Sequence, residues 1–173
     1  AEAMAAFEAG NAWDRQAWQR QNPGPNPFLA EVDACLAHAR HGGLDRWPAL
    51  APSAPDGEPD PIFVVGFPRS GTTLVEQALA GNSHLQVLTE AATAVRMRDI
   101  VAAMPDGYPQ AIGALDEFDR RYLRTAYFDA VAGACTRDRQ RLLVDKMPLQ
   151  MTRAALIARV FPRARWVFLA RHP

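Results

Sequence analysis

This sequence contains few cysteines and a single lysine, and it has no excess of either charge. Its two cysteines, Cys35 and Cys135, lie far apart without CxxC or Cys/His spacing, which argues against a disulfide framework or a zinc site and favours a reducing cytoplasm. Nineteen basic residues balance nineteen acidic ones, so no general surface for DNA, RNA or anionic lipid is expected. No apolar run approaches the roughly 20 residues that a membrane-spanning helix needs.

The composition that remains is that of a globular protein with a core. Of 173 residues, 49% are hydrophobic and 22% are charged. The nineteen basic residues include a single lysine, Lys146, and all the others are arginines. Either the base composition of the genome accounts for this bias, or Lys146 is kept for its chemistry.

The chain divides into three segments by composition. Residues 1–47 carry two helical patterns, over 1–20 and 28–40. Residues 48–60 are rich in proline and predict a linker. Residues 61–173 change character and form the third segment.

Short apolar runs alternate with helical patterns in the third segment. The runs 62–65, 142–144 and 166–170 predict buried strands, 85–88 predicts a further short strand, and helices are predicted over 72–80, 91–104, 115–133 and 149–161. The alternation predicts an α/β fold in which helices flank a parallel sheet with right-handed crossovers. Because Arg171-His172-Pro173 follows directly on a strand, we expect a truncated domain, an internal fragment of a longer chain.

A strand, a glycine-containing loop and a helix follow one another over residues 61–80. Gly66 and Gly71 have P-loop spacing, and a helix N-terminus after a buried strand offers free N–H groups to a phosphate. Thr72 replaces the P-loop lysine, and the cation lies inside the loop as Arg69, which can bind phosphate or sulfate oxygens with two prongs. This predicts an anion site that requires no magnesium. A plain strand–turn–helix corner is the alternative, and it leaves Arg69 unexplained.

Three segments, in order, resemble the sulfotransferases that use 3′-phosphoadenosine-5′-phosphosulfate. Phe67–Leu74 is similar to their 5′-phosphosulfate loop, Asp145–Pro148 to their DKxP segment, and Arg165–Pro173 to the start of their 3′-phosphate motif. The resemblance covers residues 61–173, the N-terminal part of the domain. It is greatest to bacterial sulfotransferases that follow tetratricopeptide repeats, relatives of the tyrosylprotein sulfotransferases. Residues 1–20 resemble the closing helix of such a repeat, which implies a protein partner for that segment.

The resemblance implies which residues bind the donor nucleotide. The backbone amides of Ser70 and Gly71, with the hydroxyls of Thr72 and Thr73, would hold the 5′-phosphate. Arg171 would pair with the 3′-phosphate. The serine that completes this 3′-phosphate motif in the family, and the adenine contacts, would come after residue 173.

The resemblance also implies the catalytic residues. Arg69 would stabilise charge on the sulfuryl group, Lys146 would stabilise the bridging oxygen, and Glu90 would be the general base. Cytosolic members of the family carry a histidine base at the position of Pro148, and its absence here favours a carboxylate. Two alternatives stay open, because Glu90 could be a first-turn helix acid and His84 is a rival base.

The predicted function is therefore the metal-independent transfer of a sulfuryl group from 3′-phosphoadenosine-5′-phosphosulfate to a hydroxyl acceptor, which is a peptide tyrosine, a carbohydrate or a small molecule. A metal-dependent nucleotide kinase or nucleoside triphosphatase is the second hypothesis, and the missing P-loop lysine argues against it. The third is a non-catalytic interaction module joined to tetratricopeptide repeats. No nucleic acid or membrane partner is expected.

Overall fold

The computed structural model describes most of the chain. The described residues are 2–24, 26–45, 47–48 and 57–171. The chain divides into two compact units, residues 1–37 and residues 38–173. The predicted linker at 48–60 falls largely outside the described residues, so its boundaries stay predictions.

Each predicted helix and strand is present, with ends that differ from the predicted ones by up to two residues, except near residue 150. The elements are α1 (Glu2–Gln21), α2 (Pro27–Arg40), β1 (Ile62–Gly66), α3 (Thr72–Ala80), β2 (Leu85–Thr89), α4 (Thr93–Ala102), a 3₁₀ helix (Gln110–Ala114), α5 (Glu117–Ala134), β3 (Leu142–Lys146), a second 3₁₀ helix (Pro148–Arg153), α6 (Ala154–Val160) and β4 (Arg165–Leu169). The helix predicted over 149–161 is thus in two parts, because the tight turn begins at Pro148 and the Gln150 amide bonds to the Met147 carbonyl three residues back.

The four strands form one parallel sheet in the order β2-β3-β1-β4. Because neighbouring strands are parallel, including the consecutive strands β2 and β3, helices must cross between them, as the alternating pattern predicts. The carboxyl ends of β1, β2 and β3 lie at one edge, where ligands of such sheets bind. The segments that follow these strands are therefore brought together at this edge.

The two faces of the sheet are covered by different helices. Phe63 of β1 packs against Tyr127 of α5 and Phe161 after α6, within the main hydrophobic core. α3 packs against β1 and β2. Because successive strand residues point to opposite faces, Asp145 and Lys146 at the end of β3 project into different surroundings.

The strand β4 differs from its prediction as a strand buried on both faces. β1 and β3 are buried, but Trp166 and Phe168 of β4 are exposed. The reason is its place in the sheet, since β4 stands last in the strand order and pairs only with β1 among the described residues.

The buried face of α5 also differs from its sequence pattern. Four-residue spacing places Phe118 and Tyr122 on one face, but these side chains are 76% and 54% exposed. The buried face instead carries Leu123, Tyr127 and Val131, together with two arginines that are paired with acidic groups. Because arginine is a charged residue, the pattern of hydrophobic residues alone does not identify this buried face.

Candidate active site

The loop between β1 and α3 has a backbone that few residues adopt. Gly71 has φ 102° and Arg69 has φ 70°, both in the left-handed region that favours glycine. Gly66 is tightly enclosed, because a Cβ there would lie 2.7 Å from the Leu169 carbonyl oxygen and 2.9 Å from the Ser70 hydroxyl. The predicted glycines are therefore required by this turn, and the turn aims the loop at the start of α3.

The start of α3 offers unused hydrogen-bond donors. Gly71 precedes the helix without a side-chain cap, and in the part of the chain that the structure describes no acceptor is found for the amides of Gly71, Thr72 and Thr73. The Ser70 hydroxyl is buried and has no partner there either. The Ser70 amide is different from the prediction, since it donates to the Phe67 carbonyl at 3.1 Å. An anion with several oxygens fits this set of donors.

A cleft of about 530 Å³ opens at this edge of the sheet. Its walls include six of the predicted site residues and the segment that follows β3. The predicted residues are Arg69, Gly71, Thr72, Thr73, Glu90 and, shortly after β4, Arg171, with Pro68, Met147, Pro148 and Leu149 completing the lining. A second, more apolar cleft of about 760 Å³ shares Arg69 and Arg171 and includes Ser70 and the exposed Phe67 and Phe168.

Glu90 and Lys146 meet beside this cleft. The Lys146 ammonium donates to Glu90 Oε1 at 2.6 Å, and the Glu90 amide donates to the Lys146 carbonyl at 2.8 Å. Glu90 follows β2 with φ 49°, so the chain turns sharply here before α4 begins at Thr93. His84 precedes β2 and lies at the other edge, roughly 15–20 Å from Glu90 at about 3.3 Å per residue. His84 is therefore too far away to be the rival base.

The comparison with known families agrees with this geometry. The family model described as the sulfotransferase family matches residues 61–173. The chain belongs to the sulfotransferase family. The matched range contains the loop between β1 and α3, Glu90, Lys146 and Arg171, and thus every residue that the sequence analysis placed in the site.

Individual relatives of this sulfotransferase-family chain are longer than it is. An uncharacterized protein of Aquifex aeolicus (strain VF5) is 35% identical over 122 residues, which are 65% of this chain and 15% of that protein. The crystal structure of sulfotransferase STF9 from Mycobacterium avium matches 88% of this chain and 54% of its own, with 16% identity and a TM-score of 0.40. The chain thus spans less than a sixth of the Aquifex aeolicus protein and little more than half of STF9.

Lys146 is buried in this sulfotransferase-family chain, and its predicted role at the bridging oxygen stays a prediction. It is 1% exposed and is not part of the cleft wall. Its ammonium contacts two carboxylates, Glu90 and, at 2.8 Å, Glu76 Oε2. Burial disfavours the ammonium, but the hydrogen bonds and charges of the two glutamates outweigh it and raise the pKa of Lys146.

Glu76 is the site residue that sequence reasoning missed. It lies on α3, four residues after the buried Thr72, and this spacing puts both side chains on the helix face that meets the sheet. Its second oxygen, Oε1, accepts a hydrogen bond of 2.5 Å from the Thr89 hydroxyl. Burial raises the pKa of Glu76, but Lys146 and the Thr89 hydroxyl together lower it by more than burial raises it. The net shift of the Glu76 pKa is therefore downward. The sequence feature that could have identified Glu76 is an acidic residue four positions after Thr72 on the same helix.

Asp145 supports the site from the other face of the sheet. Its carboxylate accepts hydrogen bonds from the Thr93 hydroxyl at 2.6 Å, the Tyr127 hydroxyl at 2.8 Å and the Gln150 amide at 3.2 Å. Burial raises the pKa of Asp145 although these donors act in the opposite direction. The arrangement gives Asp145 a structural role, because it ties β3 to α4, α5 and the segment after β3.

The described residues contain neither a cluster of metal-ligating side chains nor a membrane-spanning helix. Among these residues, no three histidine, cysteine, aspartate or glutamate side chains are grouped as metal ligands would be. Within the same residues, none of the helices combines the length and the apolar character that crossing a bilayer requires.

Proposed function

We propose that this chain transfers a sulfuryl group from 3′-phosphoadenosine-5′-phosphosulfate to a hydroxyl acceptor, with Glu90 as the general base. The observation that carries the proposal is the convergence of an open, donor-rich loop and a lysine-bound carboxylate on one cleft in a chain of the sulfotransferase family. Both ends of an in-line transfer need groups of this kind, a site for the leaving phosphate and a base for the acceptor.

The residues present fit the donor nucleotide. The free amides at the start of α3 and the unpartnered Ser70 hydroxyl suit a phosphate, and the positive end of the α3 dipole adds to them. Arg69 from the loop and Arg171 from the segment after β4 both line the cleft and bring two guanidinium groups to an anionic ligand. In this proposal Arg69 faces the sulfuryl group and Arg171 the 3′-phosphate.

The chemistry assigned to the chain's own residues is limited to protons and charge. The acceptor oxygen loses its proton to Glu90 as it bonds to sulfur, and the bond between sulfur and the phosphate oxygen breaks. The electron pair leaves with that phosphate oxygen, where Arg69 and the Lys146 ammonium stabilise the charge. Lys146 contacts Glu90 in this structure, so it must exchange that carboxylate for the donor oxygen.

The acceptor belongs to the class of hydroxyl compounds, and peptide tyrosines, carbohydrates and small alcohols or phenols are its members to be tested. Glu90 is 57% exposed, so its carboxylate is open to an incoming hydroxyl from the solvent side. A protein partner bound through residues 1–20 remains part of the proposal.

Calorimetric titration with 3′-phosphoadenosine-5′-phosphate in EDTA tests the donor site. We expect binding that is lost with AMP, which lacks the 3′-phosphate, and that is weakened by Arg69→Ala about 10- to 100-fold, the value of a charge-assisted hydrogen bond of about 1.5–3 kcal/mol. Arg121→Ala, on the exposed surface of α5, is the matched control and should bind normally.

The same titration identifies the competing functions. Preference for Mg-ATP over 3′-phosphoadenosine-5′-phosphate would indicate a nucleotide kinase or triphosphatase and overturn the proposal. Absence of binding by every nucleotide would instead indicate an interaction module without catalysis.

A further inference from the structure

Lys146 is held by two carboxylates that differ in their surroundings. The side chain of Glu90 is 57% exposed and lines the cleft, whereas that of Glu76 is 16% exposed and is absent from the cleft wall. Both lie within 2.8 Å of the same ammonium. One partner of Lys146 is therefore accessible to substrate, and the other is shielded from it.

The shielded carboxylate is also the more firmly fixed. Glu76 sits within α3, which begins at the phosphate loop, and its Oε1 accepts the Thr89 hydroxyl while Oε2 contacts Lys146. Thr89 is the last residue of β2 and pairs with Lys146 in the sheet register. Helix, strand and lysine are thus joined through this one side chain.

We propose that Glu76 is a positioning residue for the reaction, the partner that keeps Lys146 charged and in place when Glu90 takes up the acceptor proton. The inference rests on the proposed function for its catalytic meaning. Glu76 would act on the reaction through Lys146 and would not contact the substrate itself.

The reason lies in the charges before and after proton transfer. With both glutamates ionised, the Lys146 ammonium has two carboxylate partners. During transfer Lys146 turns from Glu90 to the donor oxygen, and Glu90 becomes neutral as it takes the acceptor proton, so Glu76 is the one of the two carboxylates that still holds the ammonium. A buried ammonium without a carboxylate loses its proton easily. Glu76 keeps its charge through this step, because it does not reach the cleft and cannot receive the acceptor proton directly.

The titratable groups around Lys146 support this assignment. Glu76 from α3 and Glu90 after β2 are the groups that face it, and both raise its pKa. Asp145 on the same strand points to the other face, toward Thr93 and Tyr127. The pKa of Glu76 itself is lowered, in keeping with a carboxylate that stays ionised while a neighbour is protonated.

The single lysine makes the test direct. In the 173-residue chain, labelled with ¹⁵N- and ¹³C-lysine, Lys146 gives the only lysine signal, so its titration can be followed by NMR without an assignment problem. We expect Glu76→Gln to lower the pKa of Lys146 and Glu76→Asp, which keeps the charge, to restore it at least in part. Gln77→Ala, an exposed neighbour on α3, should leave it unchanged.

Activity provides the second readout. For Glu76→Gln we expect kcat to fall about 10- to 100-fold, the range for a misplaced catalytic group, with the Kd of 3′-phosphoadenosine-5′-phosphate within about twofold. The alkaline limb of kcat should move to lower pH, because Lys146 loses its proton earlier. A variant that was merely less stable would lose activity without this displacement.

The outcomes separate the two proposals. An unchanged Lys146 pKa or an unmoved alkaline limb in Glu76→Gln would overturn the role of Glu76 even if the chain transfers sulfuryl groups. If the unaltered chain neither binds the nucleotide nor transfers, the proposed function fails and the catalytic role of Glu76 fails with it, whereas its hold on Lys146 is still decided by NMR.

Discussion

Glu90 and Lys146 are joined twice, by their side chains at 2.6 Å and by a backbone hydrogen bond of 2.8 Å from the Glu90 amide to the Lys146 carbonyl. The backbone bond continues the pairing of β2 with β3 one residue past the end of β2. The sheet itself therefore sets the distance between the proposed base and the proposed cation. With the two backbones fixed in this way, the rearrangement that the proposed reaction needs is confined to the Lys146 side chain, which turns from Glu90 to the donor oxygen.

Replacing Glu90 with glutamine tests the assignment of the base. The amide keeps the size of the side chain but cannot take the acceptor proton, so we expect transfer to fall about 10²–10⁴-fold, the usual contribution of a general base. Binding of 3′-phosphoadenosine-5′-phosphate should persist in calorimetry. The matched variant His84→Ala removes the rival base at the other edge of the sheet and should retain activity. Equal turnover by Glu90→Gln and the unaltered chain would show that another group is the base.

Gly71 should tolerate no side chain, for a reason of backbone conformation alone. A Cβ there would meet no atom within 4 Å, but its φ of 102° is unfavourable for any L-residue. We expect Gly71→Ala to destabilise the chain by about 1–2 kcal/mol in urea unfolding and to weaken nucleotide binding.

Gly81 provides the control for that prediction. It ends α3 with φ −69°, where alanine fits without strain. Gly81→Ala should be neutral or should stabilise the chain by up to about 1 kcal/mol. A loss of stability at Gly81 equal to that at Gly71 would contradict the conformational explanation.

The buried Asp145 predicts a pH dependence of stability. Burial raises its pKa in the folded chain above that of the unfolded chain, so folding takes up a proton between the two values. The contribution of Asp145 to stability is thus complete below the unfolded pKa and decreases as pH rises through the raised folded pKa. Relative to Asp145→Asn, which does not titrate, the unaltered chain should lose unfolding free energy over that window. Urea midpoints of the two proteins measured against pH would show this loss. A stability of the unaltered chain that rises with pH relative to that of Asp145→Asn would contradict the prediction.

The buried ion pair between Arg124 and Asp60 predicts a large effect on stability. Arg124 Nη1 lies 2.6 Å from Asp60 Oδ1 and both side chains are buried, so Asp60→Asn removes the charge of this carboxylate from beside a buried guanidinium. We expect a loss of about 3–5 kcal/mol in urea unfolding. The exposed pair of Arg121 and Glu117 is the comparison, and Arg121→Gln should cost less than about 1 kcal/mol. Similar losses in the two variants would contradict the argument from burial.

Some elements of the site were predictable because their determinants are local. The strand, the glycines and the threonines of residues 61–80 occur in one contiguous stretch, and the loop that they form depends on backbone conformation within it. The order of short apolar runs and helical patterns likewise predicts the parallel sheet, since each run needs only its own neighbours to be recognised.

Other elements could not be predicted, since long-range packing decided them. The exposure of β4 follows from its place at the end of the strand order, which its sequence does not contain. The buried face of α5 contains Arg124, whose burial depends on Asp60, sixty-four residues earlier. The hydrophobic pattern alone therefore selected the wrong face.

The sequence by itself determined the fold class, the turn between β1 and α3 and the family, because these depend on residue types at short spacing. Only the tertiary structure decided that Lys146 is buried outside the cleft wall, where it contacts both Glu76 and Glu90. These two residues are seventy and fifty-six residues away from Lys146 in sequence. The physical reason is that the parallel sheet brings the ends of β2 and β3 together while α3 covers one face, and no local pattern in the chain encodes the distance between those three elements.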